Sequence, residues 1–317
     1  MMTDKENKTI NPYKAARTKT NLENIIFDAI IYITLILVVI VTVYPFWNTI
    51  AISFNDGLDS IKGGIKFWPR KFTLDNYKTL FSTDYIFKAG LISVSRTIIQ
   101  TILSVFCTAM LAYSLSRKEF VLKKPLTSIL VISMYVNAGL IPGYLLIQKL
   151  HMIGTYAVYI IPCIIDVFNF ILIRTYINGL PDSFVESARI DGANEMRIFL
   201  QIIMPLIVPS IAMICLFVAV GAWNSWFDTY LYNSRYKNLH SLQYVLMGYL
   251  NASQNAGSGA DANAKALAAA NGSAVNQITP VSIRASITIV ASVPILIVYP
   301  FVQRYFVVGM TIGGVKE

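Results

Sequence analysis

The stretch Ala29–Asn55, AIIYITLILVVIVTVYPFWNTIAISFN, contains no charged residue in 27 positions. A helix needs about 20 mostly apolar residues to cross the hydrocarbon core of a bilayer, so this stretch is long enough to span a membrane. It is also longer than the apolar region of a secretory signal peptide, and no clear A-x-A cleavage site follows it. We therefore interpret it as a retained transmembrane helix.

Five further segments have the length and apolarity of membrane spans, and only one of them contains an internal charge, Asp166. They are Thr97–Ser116, Pro125–Gln148, Met152–Arg174, Ile198–Phe227 and Ala285–Gln303. The sequence thus predicts an all-α integral membrane protein with six transmembrane helices. The predicted membrane domain covers residues 25–308, with terminal tails at 1–24 and 309–317.

Composition and charge agree with this fold class. Of the 317 residues, 55% are hydrophobic and 14% are charged, against about 25% charged in an ordinary soluble domain. The net charge of +9 comes from basic residues beside apolar runs, which indicates orientation in a lipid bilayer rather than nucleic-acid binding. Their excess near the N-terminus, after the second span and in the C-terminal tail predicts that both termini are cytoplasmic. We expect Asp28 and Arg96, close to span ends, to reach the interface, and assign them no function.

Two long loops are predicted on the external side, at residues 55–88 and 228–284. The second contains a low-complexity insertion at 251–276, rich in Ala, Asn, Gly and Ser. Its centre, Asp261–Ala270, has the composition of a short Ala-rich helix, and a flexible surface loop is the alternative. The sequence assigns no role to this insertion.

Signatures of enzymes are missing from the sequence. Without a Gly-Lys dipeptide the chain has no P-loop, and it has no G-x-S-x-G nucleophile motif. His151 and His240 lack the spacing of metal ligands, and the three cysteines lie in apolar runs. We therefore expect no catalytic, cofactor or metal site in this chain, and interpret it as a conduit.

The most informative cytoplasmic segment is Pro181–Pro209, PDSFVESARIDGANEMRIFLQIIMPLIVP. Pro181-Asp182-Ser183 is a helix start signal, and Asp191-Gly192 predicts a turn before a second helix that enters the membrane. Glycine at this turn permits a positive φ or a close backbone approach. A helix-turn-helix at the membrane surface suits docking to another protein, although an ordinary interfacial hairpin is the alternative.

This segment resembles the EAA motif of ABC-importer permeases, E-A-A-x₃-G-x₉-I-x-L-P. Both spacings are kept, while Ser187 replaces the middle Ala and Met204 replaces Leu. The matching positions are Glu186, Ser187, Ala188, Gly192, Ile202, Met204 and Pro205.

The resemblance extends over most of the chain, to the maltose-type carbohydrate-uptake permeases and, among these, to the LplC/YtcP-like oligosaccharide permeases of Gram-positive bacteria. Local matches include Phe67-Trp68-Pro69, Ala112–Arg117, Gly139–Pro142, Leu242-Gln243 and Tyr299-Pro300-Phe301. It implies the type I ABC-importer permease fold in the cytoplasmic membrane of a Gram-positive bacterium.

The resemblance also implies partners. These are a homologous second permease, two copies of a cytoplasmic ABC ATPase that uses ATP and Mg²⁺, and a lipid-anchored or periplasmic sugar-binding protein. Residues 183–196 would form the coupling helix that docks on the ATPase. The coupling residues implied in this way are Glu186, Ser187, Ala188, Arg189, Asp191, Gly192, Ala193 and Pro205.

Candidate substrate residues lie in the fourth and fifth predicted spans. A carboxylate inside a membrane helix is expensive, so Asp166 should face the bundle interior or water, with Asn169 on the same helical face. Together they are candidates to bind sugar hydroxyls, or else they join two helices. Trp223, Asn224 and Trp226 are candidates for sugar contacts, or else they mark the membrane boundary. The resemblance implies that this type of permease contributes the smaller share of the binding cavity.

The alternative function is an ATP-independent secondary transporter or channel. Such proteins usually carry more charges within their spans, whereas only Asp166 is predicted to lie well inside one. We expect a bulky residue at Gly192 to separate the two functions, because it would disrupt coupling to an ATPase without preventing membrane insertion.

Overall fold

The computed structural model describes residues 22–82, 84–256 and 279–314, and within them it is helical. The helices are α1 (Leu22–Ser53), α2 (Gly57–Ile61), α3 (Asp75–Ser82), α4 (Asp84–Ser116), α5 (Lys123–Tyr135), α6 (Leu140–Lys149), α7 (Val167–Asn178), α8 (Ser183–Ile190), α9 (Glu195–Ile198), α10 (Met204–Leu206), α11 (Val208–Asn224), α12 (Leu242–Ala256) and α13 (Pro280–Gly314). In the described residues the only β-type pairing is an isolated bridge between Asn55 and Phe72. The predicted all-α fold class is therefore confirmed.

Three sequence predictions fall wholly or partly outside the described residues. The Ala-rich helix proposed for Asp261–Ala270 lies outside them, as do residues 1–21 of the N-terminal tail. In the C-terminal tail, 309–314 continue α13 and 315–317 lie outside.

The chain divides into two compact units, Met1–Asn48 and Thr49–Glu317. In the first unit, α1 exposes large apolar side chains over consecutive turns, among them Ile33, Leu37 and Ile40. A helix that is apolar all round needs an apolar environment on every side, and lipid provides it. This unit therefore has the character of a single membrane span.

Three helices are long and apolar enough to cross a membrane without a break. They comprise Ile25–Ser53, Asp84–Ser116 and Val281–Pro300. Two helix pairs qualify if each counts as one bent span: 156–163 with 167–178, bent by 43°, and 195–206 with 208–224, bent by 83°. The described residues thus contain three to five candidate spans, and six remains a prediction.

The predicted span Pro125–Gln148 is divided into α5 and α6. Asn137 accepts a hydrogen bond from the backbone N–H of Gly139 at 2.8 Å, and Gly139 adopts φ +88°. This side-chain turn and the left-handed glycine interrupt the helical path, which hydropathy alone does not reveal.

The main core of the second unit lies where α4, α7 and α11 pack together. Ala109 and Ala112 of α4 and Phe170 and Ile173 of α7 are completely buried in it. Small residues on α4 let the neighbouring helices approach closely, which is the usual packing mode of helices in membranes. Val185 of α8 is buried in the same core, so α8 is attached to the bundle.

Candidate functional site

The segment Pro181–Pro205, called the EAA segment below, contains a tightly capped turn. After α8, Gly192 adopts φ +79°. Its N–H donates to the carbonyl oxygen of Arg189 at 3.0 Å, and the N–H of Ala193 donates to that of Ala188 at 3.0 Å. This pair of bonds is a Schellman cap, in which the left-handed position favours glycine. The turn predicted at Asp191-Gly192 is confirmed, and its geometry explains the glycine.

The second half of the EAA segment is more irregular than predicted. The Asn194 side chain caps α9 by accepting from the N–H of Arg197 at 2.8 Å. A π-helical turn at Phe199–Ile203 then precedes Pro205. Proline has no N–H to continue the hydrogen-bond ladder, which accounts for a disturbed helix at this point. The predicted helix into the membrane is therefore bent before α11.

Helix α8 has one buried and one exposed face. Val185 and Ala188 are buried in the core, whereas Glu186 is exposed and Ile190 is 86% exposed. Among the described residues, the side chain of Glu186 makes no hydrogen bond or ion pair. The exposed face of α8 thus carries an unpaired carboxylate and a large apolar side chain, both accessible from outside the chain.

An ion-pair network, called the Arg189 cluster below, joins the EAA segment to the end of α4. Its members are Tyr113, Lys118, Glu119, Asp182, Arg189 and Glu195. The Arg189 guanidinium bonds Glu119 at 2.5 Å and Glu195 at 2.8 Å, and Lys118 bonds Asp182 at 2.5 Å. The Tyr113 hydroxyl donates to Glu195 at 2.6 Å. The EAA segment is thereby tied to α4 by side chains as well as by packing.

The guanidinium of Arg189 lowers the pKa of the Glu119 carboxyl below its ordinary value. The lysine beside Asp182 likewise lowers the pKa of that carboxyl. Sequence reasoning did not single out Tyr113, Glu119 or Glu195. The available signal was the opposite charge of Arg189 and Glu195 on the two sides of a tight turn.

A cavity of about 510 Å³ lies among α4, the bent 156–178 segment and α11. Its walls combine apolar side chains with a few polar ones. The lining residues are Gln100, Ser104, Pro162, Cys163, Ile165, Asp166, Phe168, Asn169, Phe217, Val218, Gly221 and Ala222. A mainly apolar cavity with a small number of polar groups is the usual form of a small-molecule site.

Asp166 and Asn169 both line this cavity, but not as two positions on one helical face. The 156–163 part of the span forms short 3₁₀ turns, and α7 begins only after Asp166. The Asp166 carboxylate caps α7 by accepting from the backbone N–H of Asn169 at 2.8 Å. The carboxylate therefore has a local structural partner, and as an exposed group it retains acceptor capacity toward the cavity.

The other three candidate substrate residues do not line this cavity. Trp223 is buried, and its indole N–H donates to the carbonyl oxygen of Ala291 on α13 at 2.8 Å. The Asn224 side chain accepts from Gln243 at 3.3 Å. Trp226 packs with neighbouring aromatic rings. Sugar contact by these residues stays a prediction without support from the cavity geometry.

The prediction that Arg96 reaches the interface is wrong. Arg96 lies inside α4, is 1% exposed, and forms a two-point ion pair with Asp228. Its guanidinium also lies over the ring of Tyr159, whose hydroxyl donates to the carbonyl oxygen of Leu239 at 2.6 Å. Asp166 is consequently not the only charge within a span. Arg96, Tyr159 and Asp228 are called the Arg96 cluster below.

Residues 91–227 match the family profile described as "Binding-protein-dependent transport system inner membrane component". The polygalacturonan/rhamnogalacturonan transport system permease protein YtcP of Bacillus subtilis (strain 168) is 34% identical over 295 residues, covering 93% of this chain and 100% of YtcP. The chain is a permease of this binding-protein-dependent transport family. Because its relatives are transport components, the permease is not an enzyme, as predicted.

Other relatives align over similar lengths. Protein LplC of B. subtilis (strain 168) is 35% identical over 87% of the permease and 90% of LplC. The arabinooligosaccharides permease protein AraQ of Halalkalibacterium halodurans is 29% identical over 87% of the permease and 92% of AraQ. A chain in the crystal structure of a bacterial ABC transporter involved in the import of the acidic polysaccharide alginate superimposes with a TM-score of 0.81. That match, at 24% identity, covers 91% of the permease and 99% of the other chain, and it confirms the ABC-importer permease fold.

Proposed function

We propose that the permease is one subunit of an ATP-driven, binding-protein-dependent importer of oligosaccharides. The observation that carries this proposal is the likeness to YtcP over the whole length of that protein. AraQ is likewise named for oligosaccharide transport. The Bacillus relatives also support a location in the cytoplasmic membrane of a Gram-positive bacterium.

In this proposal the permease forms half of the pathway. Six spans within residues 25–308 would leave both termini cytoplasmic, and a homologous second permease would close the exposed side of the cavity near Asp166. A lipid-anchored or periplasmic binding protein would deliver the sugar from outside, where the external loops 55–88 and 228–284 lie. Asp166 and Asn169 would hydrogen-bond sugar hydroxyls in the cavity, and the polar lining that they share supports this role.

The EAA segment would couple the permease to the ATPase. Residues 183–196 would dock in a cleft of one copy of a cytoplasmic ATPase dimer, and that dimer would bind the ATP and Mg²⁺. ATP-driven closure of that dimer would convert the pathway from inward-open to outward-open. The exposed Ile190 and the unpaired Glu186 support a docking face on α8, while the Schellman cap at Gly192 supports a rigid turn.

Purification of the tagged permease from native membranes in a mild detergent tests the proposal. We expect mass spectrometry to find a second permease and an ATPase in stoichiometric amounts, and the reconstituted complex to take up oligosaccharides only with ATP. A permease that purifies alone and transports sugar in liposomes without an ATPase would instead support the secondary-transporter or channel alternative.

An aspartate at Ile190 tests the docking face directly. Val121, 90% exposed on the loop after α4, offers a matched control outside the EAA segment. We expect Ile190→Asp to reduce ATP-dependent uptake by about tenfold or more, as for a buried interface anchor. Val121→Asp should change it less than about twofold. Equal behaviour of the two variants would remove α8 as the docking element.

Substitutions at Gly192 test the turn. No atom lies within 4 Å of a Cβ built at Gly192, so only its φ of +79° opposes a side chain. A β-branched residue is strained in this conformation, whereas Asn tolerates it. We expect Gly192→Val to lose uptake while still inserting, and Gly192→Asn to keep it. The control is Gly143→Val, at a helical glycine with equal space and no positive φ. Normal uptake by Gly192→Val would argue against a coupling role for this turn.

A further inference from the structure

Gln100 is a buried polar residue without a complete set of partners. It lies on α4, is 8% exposed and lines the cavity. Within the described residues its side-chain oxygen Oε1 has no hydrogen-bond donor. Buried side-chain oxygens nearly always accept a hydrogen bond, so an orphaned one beside a cavity is available to a donor that enters the cavity.

The carboxylate of Asp166, which lines the same cavity, is a second acceptor. One of its oxygens accepts from the Asn169 backbone, and the residue is exposed. Ser104 follows Gln100 by one helical turn and lines the same wall. The cavity lining therefore offers two acceptors, the unpartnered Gln100 oxygen and the Asp166 carboxylate, to a ligand rich in hydroxyl donors, while the amide groups and the Ser104 hydroxyl can also donate.

The charge of the cavity points to one class of sugar. Among the residues that line it within the described chain, Asp166 is the only charged one. Arg96 is the nearest arginine on α4, one turn before Gln100, but it does not line the cavity and its charge is balanced by Asp228. A carboxylate-bearing sugar unit beside Asp166 would meet a like charge, and two like charges repel each other at close range.

We propose that Gln100 and Asp166 form a selectivity site that accepts hydrogen bonds from sugar hydroxyls and disfavours uronic acid units. The inference rests on the proposed function and specifies the substrate class of its cavity. The inferred preference differs from the substrates named for two similar proteins. YtcP is named for polygalacturonan and rhamnogalacturonan transport, and the transporter of known structure is described as importing the acidic polysaccharide alginate.

Cys163 provides a direct measure of cavity occupancy, because it lines the cavity and is exposed, while Cys107 and Cys215 are only partly exposed. The assembled complex would carry serines at those two positions. The rate at which a small uncharged methanethiosulfonate modifies Cys163 would then be measured against sugar concentration. The probes are a galactose tetramer and a galacturonate tetramer of the same linkage, which differ only at C6.

We expect the galactose tetramer to protect Cys163 at a concentration about tenfold lower than the galacturonate tetramer. Gln100→Met removes the acceptor at similar volume, and should raise the half-protecting galactose concentration about tenfold. Asp166→Asn should narrow the difference between the two tetramers. Thr101→Val is the matched control, since Thr101 also has an unpartnered buried hydroxyl on α4 but does not line the cavity, and should shift neither value more than about twofold.

A second variant, Gln100→Glu, keeps the test decisive if Gln100→Met assembles poorly, because a further carboxylate should widen the difference between the tetramers. Equal protection by both tetramers, no protection by the galactose tetramer, or unchanged protection in both Gln100 variants overturns the inference. If the wild-type complex still imports oligosaccharides, only the selectivity site fails. If the wild-type complex imports none with ATP and a binding protein, the proposed function fails instead.

Discussion

Two arginine–carboxylate clusters are attached to the same helix, α4, and differ in burial. In the Arg96 cluster the arginine side chain is 2% exposed and its partner Asp228 is 18% exposed. In the Arg189 cluster the arginine is 37% exposed and its partner Glu119 is 61% exposed. The chemistry of the contacts is the same, so burial is the variable that separates them.

This difference in burial indicates which of the two clusters can rearrange. Exposed ion pairs are weakened by water and salt and contribute little net stability, so they can break and reform at small cost. A buried pair is different, because removing one partner leaves the other charge without compensation. We therefore expect the Arg96 cluster to hold α4 in a fixed place, and the Arg189 cluster to let the EAA segment adjust against α4.

The largest effect is expected for Asp228→Ala, which tests whether Arg96 and Asp228 behave as a buried ion pair. It strands the Arg96 charge in the interior, and we expect a loss of about 3–5 kcal/mol in the free energy of unfolding. The measurement is denaturant unfolding of the purified complex in detergent. A double variant, Arg96→Met with Asp228→Leu, removes both charges and should recover much of the loss. A loss below about 1 kcal/mol would contradict the buried role of the pair.

The same contrast explains what the sequence predicts well. The turn at Gly192 follows from rules that operate over a few residues, since a Schellman cap and the Asn194 cap need only neighbouring chain. The pair of Arg96 with Asp228 joins positions 132 residues apart, and no local rule specifies such a partner.

A signal for the burial of Arg96 was nevertheless present. Ser93, Arg96, Gln100 and Ser104 recur at helical spacing along α4, and all four are buried. A polar stripe on an otherwise apolar helix indicates an inward-facing side in a membrane bundle. The charge-free window begins only at Thr97 and excludes Arg96, although α4 begins at Asp84.

The cavity was only partly predictable for a similar reason. The apolar window 152–174 predicts a continuous span, whereas an Asp directly before an apolar helical run is also an N-cap signal. In the structure Asp166 is the N-cap of α7, so it lies where the span is interrupted between two helical segments. Gln100 carries no local signal of being unpartnered, because that depends on how three separate segments pack around it.

Tyr113→Phe should give the second-largest effect. The change removes the hydroxyl that donates to Glu195 at 2.6 Å and keeps the ring against Phe199. A hydrogen bond to a carboxylate contributes about 1.5 kcal/mol or more, which sets the expected loss of stability in denaturant unfolding. The control is Tyr135→Phe at an 80% exposed tyrosine, which should have no effect. Equal effects would mean that the Tyr113 bond does not attach the EAA segment to α4.

The next prediction concerns how stability depends on pH through His240, a third buried polar contact. Its Nε2 lies 3.0 Å from the carbonyl oxygen of Ser234, which can only accept, so in the neutral ring Nε2 donates and Nδ1 accepts from the Tyr85 hydroxyl at 2.6 Å. Burial lowers the pKa of His240 below its usual value of 6.5. A lowered pKa means that the native state disfavours the proton. Stability is therefore fully present above about pH 6.5 and falls as the pH drops from there through the lowered pKa.

The readout for His240 is the Tm of the complex between pH 7.5 and pH 5.5. We expect a decrease toward pH 5.5 in the wild type and a smaller decrease in His240→Gln, which keeps a donor and an acceptor without titrating near neutral pH. Parallel Tm profiles for the two proteins would show that this histidine does not govern the decrease.

The smallest effect should come from the Arg189–Glu119 pair. A double-mutant cycle with Arg189→Ala and Glu119→Gln should give a coupling free energy below about 1 kcal/mol, since the pair is exposed, and high salt should reduce it further. The Arg189 guanidinium holds the pKa of Glu119 below its ordinary value of 4.5, which sets the pH dependence. The coupling should be constant from neutral pH to about 5 and disappear as the pH falls below about 4.5 through the lowered pKa, because protonation of the carboxyl removes its charge. A coupling above about 2 kcal/mol that resists salt would mean that the Arg189 cluster behaves like a buried one and holds the EAA segment rigidly on α4.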